Sequence, residues 1–167
     1  MNLMVIKMVE SKTVKESYVE TVHLVHPENL NMAGRIYGGT LMSWIDDVAA
    51  LVAKRHTGME VTTASVDNLK FLRAVRLKDI VIISGKVTYV GNTSMEVKVE
   101  TFVEHLDGSR ELVNRAFLTL VGLDESGRPS PIPKLTLISD EDNEEWGRAQ
   151  KRREIRMKQA KEGFHFF

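Results

Sequence analysis

Between Thr40 and His56 the apolar side chains Leu41, Ile45, Val48 and Val52 recur at helical spacing, with Trp44, Ala49 and Leu51 alongside. No glycine or proline interrupts the run, so it predicts one long helix, and Gly58 supplies its stop. Upstream, residues 18–25 alternate enough to predict a strand, while Pro27 and the asparagines behind it predict a loop over 29–37. Downstream the period changes. Val61 to Phe71, Asp79 to Val90, Ser94 to His105 and Glu111 to Leu123 each read as strands. The third is the cleanest, with Met95, Val97 and Val99 alternating with Glu96, Lys98 and Glu100. Gly91-Asn92 closes the second of these strands and Asp107-Gly108 is a strong hairpin turn. Gly127, Pro129, Pro131 and Pro133 mark an irregular exit. The order is therefore strand, long helix, four strands. Short connections demand antiparallel pairing, which predicts an α+β fold with the long helix packed on one face of an antiparallel sheet of about five strands.

A second helix is predicted over 139–163. Ser139 is a good N-cap, Asp140, Glu141, Asp142, Glu144 and Glu145 crowd the first turns, and Lys151 to Lys161 is basic. That polarity complements the helix macrodipole. It reads more readily as a solvated, dipole-matched surface helix than as a nucleic-acid or phosphate patch. Its few apolar residues (Trp146, Ala149, Ile155, Met157) are available to dock it on the body or on a neighbouring subunit.

Composition narrows the function classes. At 167 residues, with 43% hydrophobic and 28% charged, the chain has the make-up of one globular domain with an appendage. Its formal net charge is zero, so no global field draws it to nucleic acid or to an anionic membrane. The absence of cysteine removes disulfides, thiolate zinc sites and thiol nucleophiles. The histidines His23, His26, His56, His105 and His165 lack metal-ligand spacing, and no metal site is expected. Met1 to Ile6 is too short and too weakly apolar for a secretory leader, and no stretch approaches the roughly 20 apolar residues of a membrane helix. A cytoplasmic protein without membrane attachment is the expectation.

The candidate chemistry lies where the loop meets the first helix. Gly38-Gly39 at a helix start exposes backbone N–H groups at the positive end of the dipole, a place for developing negative charge. Two acids follow, Asp46 and Asp47. On a wheel of about 100° per residue, Asp47 falls on the polar face with Thr40, Ser43 and Lys54. Asp46 falls at the flank of the apolar stripe, among Met42, Ala50 and Ala53. A carboxylate in partly apolar surroundings tends toward a raised pKa and is a candidate base, which singles out Asp46. There is no Gly-x-Ser-x-Gly elbow, no phosphate-binding Gly-x-x-x-x-Gly-Lys and no dinucleotide Gly-x-Gly-x-x-Gly, and neither Ser43 nor Ser65 has an evident histidine partner. The available chemistry is carboxylate-driven, with water as the nucleophile.

The run His26-Pro27-Glu28-Asn29-Leu30-Asn31-Met32-Ala33-Gly34 through Gly38-Gly39-Thr40-Leu41-Met42-Ser43-Trp44-Ile45-Asp46-Asp47 resembles the hotdog-fold acyl-CoA thioesterases of the bacterial short-chain and brain acyl-CoA hydrolase type. The resemblance continues through Phe71 to Val75, Val90 to Met95 and Gly127 to Pro133, and covers roughly residues 18 to 134. It implies an N-terminal extension over 1–17, a hotdog thioesterase domain over 18–134 and a charged helical tail over 135–167. It implies a dimer with two active sites at its interface, often assembled into a trimer of dimers. The family's helix acid matches Asp46 and its helper asparagine matches Asn31, the two coming from opposite subunits. Tyr37 and Ala74 depart from the residues frequent in relatives, so the acyl preference is left open.

The implied activity is hydrolysis of acyl-CoA, with no cofactor beyond the CoA of substrate and product. Asp46 would activate water or, less favourably, attack directly to form an anhydride. Amides near Gly38 and Gly39 would hold the oxyanion, and Asn31 would orient water or the carbonyl. Arg73 and the turn Asn92-Thr93-Ser94 are candidates for the nucleotide end of CoA. One alternative is a hotdog hydratase or dehydratase, but that needs a histidine partner near the helix acid, where this chain has Leu51 and Val52. A non-catalytic module binding acyl-CoA or nucleic acid through the basic tail is the other.

Overall fold

The computed structural model describes residues 10–163. In chain order the elements are β1 (Ser11–Thr13), α1 (Val14–Ser17), β2 (Val19–Leu24), α2 (Gly38–Thr57), β3 (Glu60–Phe71), β4 (Ile80–Val90), β5 (Ser94–Glu104), β6 (Arg110–Leu123), β7 (Lys134–Thr136) and α3 (Asp140–Lys161). Met1 to Ile6, read above as too short for a leader, lie outside the described residues, as does His165. Among the described residues no helix is long and apolar enough to cross a membrane.

Five strands form one antiparallel sheet in the order β2-β4-β5-β6-β3. The meander β4-β5-β6 follows from its two turns. At one, the Gly91 N–H donates to Ser94 O (2.7 Å); at the other, the His105 N–H donates to Ser109 O (2.8 Å). β3 precedes β4 in the chain yet pairs with β6, so β2 and β3 occupy opposite edges. A period-2 pattern says that a strand has one buried face and not which strand lies beside it.

α2 lies across the inner face, and its predicted stripe is the centre of the core: Leu41, Ile45, Val48 and Val52 are each at most 1% exposed. They pack with inward residues of the sheet such as Val81, Ile83, Val97, Val99, Leu118 and Leu120. Each such aliphatic side chain contributes about 1.5–3 kcal/mol on burial, so this stripe anchors the helix that carries the candidate acids. The fit is close at Gly85 of β4, where a Cβ would sit 2.9 Å from both Val48 Cγ1 and Val52 Cγ2. Gly58 ends α2 as predicted, with φ +67° and its N–H on Lys54 O at 2.8 Å.

Two short strands escaped the pattern because three residues are too few to show alternation. β1 pairs in parallel with β7, so the segment before residue 18 is tied to the segment after the sheet. Both brace the C-terminal end of α2: Lys12 Nζ donates to Arg55 O, Arg55 Nη1 donates to Tyr18 O (2.8 Å), and His56 Nε2–H donates to Pro133 O (3.0 Å).

α3 starts at its predicted cap, with Ser139 Oγ accepting from the Asp142 N–H at 3.1 Å. Its docking corrects the expectation of a solvated helix. Ala149 is buried and Trp146 packs on Tyr89 with ring centroids 4.5 Å apart, but Ile155 and Met157 remain exposed. The helix is seated on the outer face of the sheet mainly by charge. Arg152 reaches Glu96 (2.8 Å) and Glu145 (2.9 Å) and stacks 3.8 Å above the Phe117 ring. Arg156 reaches Glu96 (2.9 Å) and Asp67 (3.1 Å). Burial would push the Glu145 carboxyl up, but the Arg152 hydrogen bond and the Lys98 and Arg152 charges outweigh it and hold that carboxyl below its usual range.

Candidate functional site

The start of α2 is built by the loop before it. The Tyr37 N–H donates to Asn29 O (2.8 Å) and the Ile36 N–H to Val75 O (2.8 Å), which pins the loop to the segment after β3. Leu41 N–H donates to Tyr37 O (3.2 Å), so the amides of Gly38, Gly39 and Thr40 lie ahead of the helix's own ladder, at the positive end of the dipole. At Gly39 a Cβ would come within 2.5 Å of Tyr37 Cε1, so glycine here lets the Tyr37 ring lie against the helix start.

Two turns further on, Asp46 borders a cavity of about 510 Å³ shared with Gly39, Met42, Ser43, Ile45, Thr63, Val66, Leu69 and Leu118. Of the neighbours the wheel gives Asp46, Met42 lines this cavity but Ala50 and Ala53 do not, and Ser43, grouped by the wheel with Asp47, does. The apolar wall comes instead from Ile45 and the sheet, and Asp46 itself is exposed in the single chain. One carboxylate oxygen, Oδ1, accepts from Thr63 Oγ1 at 2.7 Å. Thr63 is the residue of this candidate site that the sequence reading missed. A register shift between Thr63 and Ser65 breaks the alternation of β3, so Thr63 and Val66, three apart, both line this cavity. Nothing in the run Val61-Thr-Thr-Ala-Ser-Val66 announces that phase change. Asp47 is exposed, outside the cavity, and its charge acts on His23, which stacks on Trp44 at 4.1 Å.

Asn31 stands elsewhere. It borders a separate cavity of about 430 Å³ with Arg35, Ile36, Gly38, Phe71, Leu72, Arg73, Ala74 and Val75. Asn31 Oδ1 accepts from the N–H groups of Ala33 (2.9 Å) and Arg35 (3.2 Å), an arrangement that orients the side chain and leaves its Nδ2 to donate outward. The two glycines thus divide the site, Gly38 facing the Asn31 cavity and Gly39 the Asp46 cavity. Within one chain Asn31 and Asp46 are not brought together.

Arg73 lies beside Asn31 but is ion-paired with Glu111 of β6. The turn Asn92-Thr93-Ser94 reaches neither cavity. Asn92 O and Thr93 O accept from the N–H groups of Ile132 (3.0 Å) and Gly122 (2.9 Å), and Ser94 lines a groove against α3 with Arg153, Arg156 and Met157. In the single chain this turn braces the exit segment and does not join Arg73.

Residues 33–107, from the glycine loop through β5, match the family model of the thioesterase superfamily. The chain is 42% identical over 134 residues to the uncharacterized acyl-CoA thioester hydrolase YkhA of Bacillus subtilis, covering 80% of this chain and 78% of that one. It is 33% identical over 157 residues to the human cytosolic acyl coenzyme A thioester hydrolase; this covers 92% of the chain but 41% of that longer protein. Among solved structures, an apo hexameric acyl-CoA thioesterase superposes with a TM-score of 0.86 at 37% identity, covering 91% of this chain and 98% of the other. An acyl-CoA hydrolase of Staphylococcus aureus, solved with butyryl coenzyme A and coenzyme A, superposes with a TM-score of 0.84 at 31% identity, covering 93% and 98%. That enzyme has also been solved with single alanine replacements of an aspartate, a threonine and an asparagine. A likeness that spans the sheet, the enclosed helix and the C-terminal helix at these identities is common descent, and the chain belongs to the thioesterase superfamily as a hotdog-fold acyl-CoA thioester hydrolase.

Proposed function

We propose that Asp46 is the general base with which this chain hydrolyses acyl-CoA to a free carboxylic acid and CoA. The observation that carries this reading is the Thr63–Asp46 hydrogen bond at the edge of an apolar cavity beside the free amides of a helix start. Thr63 occupies Oδ1 and turns the carboxylate, leaving Oδ2 to accept a proton from water. The water oxygen attacks the thioester carbonyl carbon. The oxyanion formed accepts from the Gly39 N–H on the Asp46 side and, with the Asn31 half-site brought up across the dimer, from a Gly38 N–H, one such donor being worth about 3 kcal/mol. Collapse of the tetrahedral intermediate breaks the C–S bond, and the proton held by Asp46 passes to the departing sulfur. CoA enters within the substrate and leaves as product; the reaction calls for no other cofactor.

Asn31 supplies the outward Nδ2 that orients water or the carbonyl, and it does so across a dimer. The separation of the Asn31 and Asp46 cavities supports this, as does the edge strand β3, where Val66 and Phe71 are exposed, with exposed Leu72 just after it. The residue types replaced in the Staphylococcus aureus enzyme are those of Asp46, Thr63 and Asn31. Assembly as a trimer of dimers follows the hexameric relatives, and a cytoplasmic location follows the cytosolic ones. Arg73, shared with Glu111, remains a contact for the nucleotide end of CoA. The Asn92-Thr93-Ser94 turn takes such a role only from a neighbouring subunit.

Free-thiol release from acyl-CoA tests the assignment. Asp46→Asn is expected to lose at least about 100-fold in kcat and Asp47→Asn to stay near wild type. An inactive Asp47→Asn beside a normal Asp46→Asn would reverse the choice of base.

A further inference from the structure

β3 forms an edge of the sheet, and its ladder with β6 is broken twice, between Thr63 and Ser65 and between Asp67 and Lys70. The breaks leave Ser65, Val66 and Asp67 in a register of their own, opposite Thr119, Leu118 and Phe117. Neighbouring side chains of this stretch face opposite ways. Val66 lines the Asp46 cavity on the inner side. Asp67 faces α3, where with Val66, Arg152, Ile155, Arg156 and Gln159 it borders a cavity of about 390 Å³.

Arg156 joins the stretch to the body. Its Nη1 lies 3.1 Å from Asp67 Oδ2 and 2.9 Å from Glu96 Oε2. Glu96 is 1% exposed and is held from three sides, by its place in β5, by Thr88 Oγ1 of β4 (2.7 Å) and by Arg152 of α3 (2.8 Å). A solvated ion pair would fix little, but a buried carboxylate needs its partners in place, and so Arg156 is held where it can hold Asp67.

We propose that Arg156 is a positioning residue for the acyl cavity: by tying Asp67 to buried Glu96 it fixes the stretch Ser65 to Asp67, sets where Val66 stands in the cavity wall, and thereby sets which acyl-chain lengths the site takes. The inference rests on the acyl-CoA reading of the Asp46 cavity and deepens it. It gives α3 a task at a site from which it is separated by the thickness of the sheet.

The test uses the full chain as Arg156→Gln, Arg156→Lys, Asp67→Asn and the double variant R156Q/D67N. Glu141→Gln, which breaks the exposed Lys86–Glu141 pair at the other end of α3, is the control. kcat and KM are measured on butyryl-CoA, octanoyl-CoA and palmitoyl-CoA, with amide hydrogen exchange across residues 62–71 and a melting temperature for each protein. Arg156→Gln and Asp67→Asn are expected to change the long-to-short ratio of kcat/KM by at least about fivefold, short of the roughly tenfold or more that a whole methylene is worth in a fitted pocket. The double variant should do no more than either single one, because both cut the same bridge. Arg156→Lys, which keeps a cation in place and covers the case in which the glutamine variant does not fold, should recover part of the wild-type ratio. Exchange across 62–71 should rise in the two uncharging variants and not in the control. A wild-type chain-length ratio in both uncharging variants, or unchanged exchange across 62–71, overturns the proposal even if melting temperatures fall. Wild-type protein that releases thiol from none of the three substrates sinks the hydrolase reading instead, and the exchange comparison then still decides whether Arg156 holds the stretch.

Discussion

Asp46 and Asp47 are neighbours in sequence and about 100° apart on α2, and that rotation puts one against an apolar cavity and the other in solvent. Helical geometry alone separates them, so which of the two borders the cavity was legible before any tertiary contact was known. Its partner was not: Thr63 becomes a partner only through a break in strand register. Thr63→Ala should lower kcat about tenfold with a smaller change in KM, since a hydrogen bond to a charged group is worth about 1.5–3 kcal/mol; Thr63→Ser should retain most of the rate. Steady-state kinetics on one acyl-CoA distinguish the two. His56 titrates at the C-terminal end of the same helix. It is fully buried, its Nε2–H is held by Pro133 O, and Nδ1 has no partner among the described residues. Burial therefore pushes its pKa below the ordinary imidazole value, outweighing the Pro133 hydrogen bond that favours the cation. The unfolded chain binds this proton more readily than the folded one. The stabilising contribution is then complete above the unfolded value of about 6.5 and declines as pH falls from there toward the folded value. Thermal melts between about pH 7 and about pH 5.5 should show a larger loss for wild type than for His56→Gln, after the offset at pH 7 is subtracted.

At the scale of elements, α2 was legible at both ends and along its buried face, because an amphipathic helix carries its period, its stop and its buried stripe in local sequence. How closely it approaches the sheet was not, and Gly85 shows why: the residue matters for what it lacks, opposite Val48 and Val52. Gly85→Val should cost about 1–3 kcal/mol through overpacking, read as a lower midpoint in urea with an unchanged m-value. α3 is the contrasting case. Its cap and charge gradient were correctly read, but a solvated surface was expected of side chains that are in fact ligands for Glu96, Glu145 and Asp67. A wheel sorts charged from apolar residues, whereas whether a charge meets water or a buried carboxylate depends on what the other element presents. Glu96 gave no sign of this, since its alternation with Met95 and Val97 made it an ordinary outward residue of a half-buried strand.

For the whole molecule, the proposed site is two half-sites, Asn31 with Gly38 and Asp46 with Gly39, that one chain keeps apart. A mixing experiment tests their union across a dimer. Asn31→Ala and Asp46→Ala proteins, each nearly inactive alone, are denatured, combined in equal amounts and refolded together. The mixture should regain about a quarter of the wild-type rate, because half of the symmetric dimers are mixed and each of those has one intact and one doubly altered site. Activity no higher than that of the separate variants would place both residues in the same subunit's site.

The order of the long elements, the face of α2 on which Asp46 falls and the glycine-marked helix start were determined by the sequence itself, because periodicity, caps and stops act over a few residues. The edge positions of β2 and β3, the Thr63 bond to Asp46 and the electrostatic seat of α3 were decided only by the tertiary structure. Each of these depends on which face meets which neighbour across more than fifteen residues of chain, as in Thr63 to Asp46 at a separation of 17. Local pattern prescribes that a face be buried; only the folded chain supplies the partner that buries it.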